Sequence, residues 1–183
     1  MICYLIRHGK DDDSRRGGWS DSPLTSVGVA QVRDLAKRLS ACRPDAGLIF
    51  TSDLPRARQT ADILSHALNL SVRELPSFRE TNNGLLAGMK HTEAEQRYPG
   101  LYWSTLEWEQ PYPEGESPAE FFQRIASAWS KLKELLRKTD QNAILVTHGG
   151  VINVIRCIES GIRYTNKENP FPIGHAQMVE ISF

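Results

Sequence analysis

The stretch MICYLIRHGK (residues 1–10) decides how the start of this chain folds. Residues 2–7 form a short apolar run, which is typical of a strand that is buried on both faces of a sheet. Arg7 and His8 come at the end of this run with no turn signal before them. The stretch therefore predicts a central strand that carries a cation and an imidazole at its carboxyl end.

The rest of the chain alternates strand patterns with helix patterns. Strand patterns cover residues 2–7, 46–52, 70–75, 143–148 and 176–183, the last expected at a sheet edge. Helix patterns follow Thr25, Pro55 and Ser117, where a polar cap or a proline suits the first turn, and another helix follows residue 148. This alternation predicts an α/β fold: a three-layer α/β/α sandwich with a mostly parallel central sheet and helices on both faces. The length favours one domain over residues 1–183.

Composition limits the classes of function. The 22 Lys and Arg balance the 22 Asp and Glu, so no global basic field favours nucleic acid. Cys3, Cys42 and Cys157 show neither a disulfide framework nor a metal-binding spacing. The apolar start is too short for a signal peptide, and no stretch approaches the roughly 18 apolar residues of a membrane span. We therefore expect a soluble cytoplasmic protein with no membrane partner.

Polar side chains from separate segments are expected to meet at one edge of the sheet. Parallel strands bind ligands outside their carboxyl ends. Arg7 and His8 end the first strand, Arg56 follows the second, and His148 ends the strand at 143–148. Guanidinium groups match the oxygens of phosphate, and their charge favours a neutral His8 imidazole that can act as a nucleophile. His148, at a helix N-terminus, would donate to the oxygens as charge develops.

A hydrolysis through phosphohistidine also needs a proton source for the leaving alcohol. A carboxylic acid that reaches the site from a loop would serve. Periodicity alone does not select Glu80 among the carboxylates, nor does charge alone select Arg56 over Arg58.

Five motifs make that selection through a resemblance. LIRHG, TSDLPRARQTADIL, FRETNNGLLAG, PEGES and ILVTHGGVI occur in this order. Together they resemble the histidine phosphatase superfamily, in its phosphoglycerate mutase-like branch, from about Ile2 to about Val154.

The resemblance implies a role for each matching position. His8 matches the nucleophile that becomes phosphorylated, and Glu80 matches the general acid that later activates water. Arg7, Arg56 and His148 match the phosphate pocket, to which the Gly149 amide is expected to contribute. The family uses no metal cofactor, so neither a metal nor any other cofactor is expected.

The loop after Gly9 departs from the family pattern. Lys10 replaces the residue usual after R-H-G, the loop is short, and the Asn that many members aim at phosphate has no clear counterpart. Arg15 or Arg16 is a candidate replacement, with Arg16 preferred for substrate binding. The aspartates at 11–13 are expected to form a solvated turn rather than a Mg²⁺ site.

An aromatic cluster at 98–112 has two interpretations. Its side chains either line a pocket for the body of the substrate or anchor the long loop to the domain.

The sequence thus predicts a metal-independent phosphatase that hydrolyses a small-molecule phosphomonoester through a phosphohistidine on His8. Two alternatives stay open: a phosphoglycerate mutase-type phosphoryl transfer, and a phospholigand-binding module with weak turnover. The natural substrate and the oligomeric state are not specified by the sequence.

Overall fold

Five strands form the centre of the molecule in the computed structural model, which describes residues 1–183. They are β1 (Ile2–Arg7), β2 (Leu48–Thr51), β3 (Val72–Glu74), β4 (Ala143–Thr147) and β5 (Met178–Ser182). The helices are α1 (Ser26–Cys42), α2 (Pro55–Leu68), α3 (His91–Arg97), α4 (Pro118–Thr139) and α5 (Gly149–Glu159). Short 3₁₀ turns occur at Pro76–Phe78, Gly84–Leu86 and Trp103–Thr105.

The sheet has the order β3-β2-β4-β1-β5. The first four strands in this order are parallel, while β5 runs antiparallel to β1. It lies at one edge of the sheet, as predicted. Arg7 of β1 lies opposite Thr147 of β4, so the residues that follow them, His8 and His148, leave the sheet side by side. The order of the strands therefore brings the two histidines together.

Each face of the sheet has its own apolar core. In β1, Cys3 and Leu5 point to the core that contains the apolar faces of α4 and α5. Tyr4 and Ile6 point to the opposite core, with α1 and α2. Because alternate residues of a strand face opposite sides, a continuous apolar run is what a strand between two helical layers requires. The predicted three-layer sandwich is confirmed.

Local sequence fixes where the helices begin. The Thr25 hydroxyl accepts a hydrogen bond from the Gly28 amide, and Pro55 occupies the first turn of α2. Ser117 and Glu120 form the predicted capping box at α4, each side chain accepting from the other residue's amide. The predicted strand 143–148 is one residue too long, since His148 is the N-cap of α5.

None of the helices combines the length and the apolar character needed to cross a membrane.

Candidate active site

His8 lies buried at the end of β1, with 4% of its surface exposed. Its Nδ1 is 2.7 Å from the Gly9 carbonyl oxygen, which can only accept, so Nδ1 carries a proton. Burial, followed by the Arg56 guanidinium, lowers the pKa of His8 well below its ordinary value. The ring is therefore neutral near pH 7, with the lone pair on Nε2.

Arg56 approaches His8 from the first turn of α2. It is 2% exposed, and its Nη1 and Nη2 donate to the carbonyl oxygens of Ser20 and Gly18. Its Nε donates to His8 Nε2 at 3.3 Å. Arg58 instead faces solvent and pairs with Glu74 at 2.9 Å. The structure thus separates two arginines that charge alone did not.

Arg7 and His148 bring further donors to the same place. Arg7 donates from Nη1 to the Ile173 carbonyl at 2.6 Å, while its buried Nε has no hydrogen-bond partner. His148 is fully buried, 2.9 Å from Ser52 Oγ through Nε2, and its Nδ1 is likewise without a partner. Buried polar atoms nearly always have partners, so these unpaired atoms indicate a place where an anion binds.

The two histidine rings are close neighbours. Their centroids are 5.1 Å apart. Burial, followed by Arg56, also lowers the pKa of His148 well below its ordinary value. A neutral His148 that accepts a hydrogen bond from the Ser52 hydroxyl at Nε2 has its single proton on Nδ1, and it can donate that proton to a ligand oxygen.

Glu80 reaches the site from the loop after β3. Its Oε2 accepts from the Gly150 amide at 3.0 Å and its Oε1 from the Thr81 amide at 3.1 Å. A Cβ at Gly150 would lie 2.5 Å from Glu80 Oε1, so the carboxylate needs glycine at this position. Arg79, the neighbour of Glu80 in the sequence, pairs with Asp53. Glu80 is thus held against the N-terminus of α5, at the backbone amide two residues after His148.

Gly149 lies on the other side of this helix start. A Cβ there would be 3.5 Å from Arg7 Nε, an ordinary contact distance. The backbone of Gly149 therefore borders the unpaired Arg7 donor.

Asp11 corrects the expectation of a solvated turn at 11–13. Its side chain is 15% exposed, with Oδ2 3.4 Å from Arg56 Nε and Oδ1 3.9 Å from His175 Nε2. Asp12 and Asp13 do behave as expected: Asp12 accepts from Ser14, and Asp13 pairs with Lys10. The acidic run therefore contributes one carboxylate to the site and leaves two at the surface.

His175 is a site residue that sequence reasoning left unassigned. Its Nε2 accepts from Arg7 Nη2 at 3.0 Å, and its ring centroid is 5.5 Å from that of His8. It lies in the loop before β5, where no local motif marks it. Only its position beside β1 in the folded sheet reveals it.

Three of these side chains offer metal-ligating atoms. One ligand atom each from His8, Asp11 and His175 lie within 4.8 Å of one another. Arg7 and Arg56 lie near the same three residues, and their two positive charges would repel a divalent cation. The arrangement suits an anion better than a metal ion.

A cavity of about 520 Å³ opens beside Glu80. Its lining includes Glu80, Gly150 and Arg16 together with Tyr102, Trp103 and Tyr112. The Arg16 guanidinium lies 4.1 Å from the centre of the Tyr102 ring. Arg15, the other candidate from the same loop, donates instead to the Gly88 carbonyl.

The aromatic cluster therefore divides between the two predicted roles. Tyr102, Trp103 and Tyr112 line the cavity. Trp108 packs against Phe122 and Tyr164, on α4 and in the segment after α5.

Comparison with known proteins gives a consistent picture. Residues 3–183 match the family model of the histidine phosphatase superfamily (branch 1). The "Uncharacterized phosphatase PhoE" of Bacillus subtilis is 29% identical over 163 residues, 87% of this chain and 77% of that protein. The "Probable phosphoglycerate mutase GpmB" of Yersinia enterocolitica is 36% identical over 157 residues, 81% of this chain and 70% of that protein.

Among solved structures, the α-ribazole phosphatase of Shigella flexneri has a TM-score of 0.85 and 26% identity. The match covers 100% of this chain and 90% of that one. The motifs in order, the sheet topology and these matches lead to one conclusion: the chain belongs to the histidine phosphatase superfamily.

Proposed function

We propose that this protein is a metal-independent phosphatase that hydrolyses a small-molecule phosphomonoester through a phosphohistidine on His8. One observation carries the proposal. The His8 Nε2 lone pair lies beside Arg56 Nε, in a site where Arg7 Nε and His148 Nδ1 have no protein partner. A phosphoryl group bound to these donors would lie against a neutral nucleophile.

The first step transfers the phosphoryl group to the enzyme. The Nε2 lone pair of His8 forms a bond to phosphorus as the bond from phosphorus to the leaving oxygen breaks. Glu80 in its protonated form donates its proton to that oxygen, and an alcohol departs. The Arg7 and Arg56 guanidinium groups stabilise the charge on the remaining phosphoryl oxygens.

The second step returns the enzyme to its starting state. Glu80, now a carboxylate, accepts a proton from a water molecule, whose oxygen attacks phosphorus. The P–N bond breaks, its electron pair returns to Nε2, and orthophosphate leaves. His8 is again neutral, and Glu80 is again protonated for the next cycle.

A mutase is the second candidate, supported by the 36% identity with the Yersinia protein. The same phosphohistidine would then pass its phosphoryl group to a second hydroxyl group instead of water. Incubation with 3-phosphoglycerate separates the two, because a phosphatase releases orthophosphate while a mutase yields the isomer. Predominant isomer formation would replace the phosphatase proposal.

Rapid mixing with p-nitrophenyl phosphate tests the covalent step. We expect a burst of p-nitrophenol stoichiometric with enzyme, and a phosphoenzyme that acid cleaves and base does not. His8→Ala should abolish both, with a loss of at least about a thousandfold in turnover. His66→Ala, at an exposed position on α2, is the matched control. Turnover by His8→Ala at the wild-type rate, or a chelator-sensitive wild-type activity, would contradict the proposal.

We also place the protein in the cytoplasm and treat residues 1–183 as one functional domain. Cys3, Cys42 and Cys157 are all free thiols. Unpaired cysteines are usual in reducing compartments.

A further inference from the structure

Arg16 has an unusual environment for a guanidinium group. Its Nε and Nη2 are buried and have no hydrogen-bond partner in the protein, and it forms no salt bridge. A buried donor without a partner costs free energy, and a charged one costs more. The cavity that Arg16 lines also contains Glu80 and Gly150, so Arg16 and the candidate general acid share one cavity.

The two unpaired nitrogens lie on the same edge of the guanidinium plane. This edge presents two parallel N–H groups, which match both oxygens of a carboxylate or two oxygens of a phosphate. The protein uses the same edge twice elsewhere. Arg79 binds both Asp53 oxygens through Nε and Nη2, and Arg124 binds both Glu116 oxygens in the same way. In Arg16 the same edge faces no carboxylate of this chain.

The surroundings of Arg16 leave this edge without a protein partner. The Tyr102 ring covers one face of the guanidinium at 4.1 Å. The nearby Glu95 carboxylate accepts from the Tyr102 hydroxyl at 2.7 Å and from the Gly100 amide at 3.1 Å. Glu95 is therefore held by other donors, and the ring fixes the plane in which a ligand can approach.

Arg16 is also separate from the phosphoryl-binding donors. The cavity that Arg16 lines includes Glu80 and Gly150, but its lining does not include His8, Arg7, Arg56 or His148. The expected role of Arg16 in place of the missing phosphate-binding Asn stays a prediction.

We propose that the leaving group of the substrate carries a second oxyanion, a carboxylate or a second phosphate, that Arg16 binds side-on through Nε and Nη2. This inference rests on the proposed phosphatase function, because it assigns the cavity beside Glu80 to the leaving group. Tyr102 acts as a rigid support for the guanidinium. Arg16 thus selects substrates by the charge of the group that leaves.

A matched series of substrates tests the inference. Alkyl phosphates of increasing chain length would end in a carboxylate, in the uncharged amide, or in a second phosphate. The assay is orthophosphate release, expressed as the ratio of kcat/KM for the charged and amide partners at each length. The proteins are wild type, Arg16→Met, Arg16→Lys and the control Arg15→Met, whose side chain lies at the surface.

We expect one chain length at which the wild type prefers a charged partner by roughly tenfold to a hundredfold, the range of a charge-assisted hydrogen-bonded pair. Arg16→Met should bring that ratio close to one. Arg16→Lys should restore part of it, because lysine keeps the positive charge but lacks the two parallel N–H groups. Arg15→Met should keep the wild-type ratio. Preference for carboxylate or for bisphosphate identifies the oxyanion.

A ratio near one at every chain length in the wild type, or an unchanged ratio in Arg16→Met, would overturn the inference. Calorimetric binding of the corresponding non-hydrolysable phosphonates separates this result from failure of the proposed function. If nothing is hydrolysed but the carboxylate phosphonate binds about tenfold more tightly than its amide in an Arg16-dependent way, the phosphatase proposal fails and the oxyanion site stands.

Discussion

His8 and Asp11 are three positions apart and have opposite expected effects on a bound phosphoryl group. Burial keeps His8, the proposed nucleophile, neutral, whereas the Asp11 carboxylate lies 3.4 Å from Arg56 Nε, one of the donors proposed to bind phosphate. A phosphate dianion at that donor is repelled by Asp11. We therefore expect Asp11 to compete with a bound phosphate for the Arg56 guanidinium.

Asp11→Asn is therefore expected to tighten anion binding. Removing one negative charge from the site should lower the inhibition constant of orthophosphate at pH 7.5 by roughly threefold to tenfold, a small part of the Coulomb energy of two charges about 4 Å apart. Competitive inhibition of p-nitrophenyl phosphate hydrolysis measures it. Asp12→Asn removes the same charge from the adjacent, outward-facing position and should have little effect. Equal or weaker orthophosphate binding by Asp11→Asn would instead mean that Asp11 orients Arg56.

The helix α5 connects two of the candidate catalytic groups. His148 is its N-cap, and the Gly150 amide donates to Glu80 Oε2 in its first turn. This element therefore orients Glu80 through a backbone amide of its first turn. The missing side chain at Gly150 leaves room for Glu80, whereas a Cβ at Gly149 would only contact Arg7 at an ordinary distance.

Gly150→Ala tests this role of the helix start. The new Cβ would lie 2.5 Å from Glu80 Oε1, which must move. We expect the rate of phosphoenzyme formation from an alkyl phosphate to fall roughly tenfold or more, because the leaving alkoxide needs a proton. The burst with p-nitrophenyl phosphate should change less, since p-nitrophenolate leaves readily without one. The midpoint of thermal unfolding should stay the same or rise, since alanine is the better helix former. Equal losses with both substrates would count against a proton-donor role for Glu80.

At the scale of the whole molecule, folding places two histidines where they cannot readily gain a proton. Burial is the main cause that lowers the pKa of His8 and of His148 well below the ordinary value. In the unfolded chain their pKa returns to about 6.5. Between these values the unfolded state binds more protons than the folded state, so the free energy of unfolding falls as the pH decreases.

The stability of the protein should therefore be complete above about pH 6.5 and decline below it, by ~1.4 kcal/mol per pH unit for each buried histidine. Urea unfolding between pH 7.5 and 5.5 measures this slope. His8→Gln should make the slope shallower by about one proton, and His66→Gln, at an exposed position, is the control. An identical slope in wild type and His8→Gln would show that His8 gains its proton as readily in the folded protein as in the unfolded chain.

The fold was predictable because its signals are local. The apolar run of β1, the Thr25 cap of α1 and the Ser117 capping box of α4 all lie where the sequence predicted them. Each depends on side chains within a few positions of one another. The ends of the strands were predicted less accurately. The strand predicted at 70–75 pairs only at Val72–Glu74, because it is a short edge strand with one neighbour.

The site was predictable in part. Arg7, His8 and His148 follow from strand ends, and the structure brings them together, whereas Arg56 and Glu80 depended on the resemblance to a family. Asp11 was predicted wrongly because three consecutive aspartates have the composition of a solvated turn. A backbone bridge from Asp11 to Leu24 holds Asp11 against Arg56, and no local sequence pattern predicts that bridge.

The sequence by itself determined the α/β architecture, the family and the residues at the ends of the central strands. Periodicity and capping act within one element, so they can be recognised without a structure. Only the tertiary structure decided which donors are left unpaired, as at Arg7 and Arg16, and which histidine from the far end of the chain joins His8. Those outcomes depend on segments that are far apart in the sequence, such as Arg7 and His175, 168 positions apart, and these segments meet only when the chain has folded.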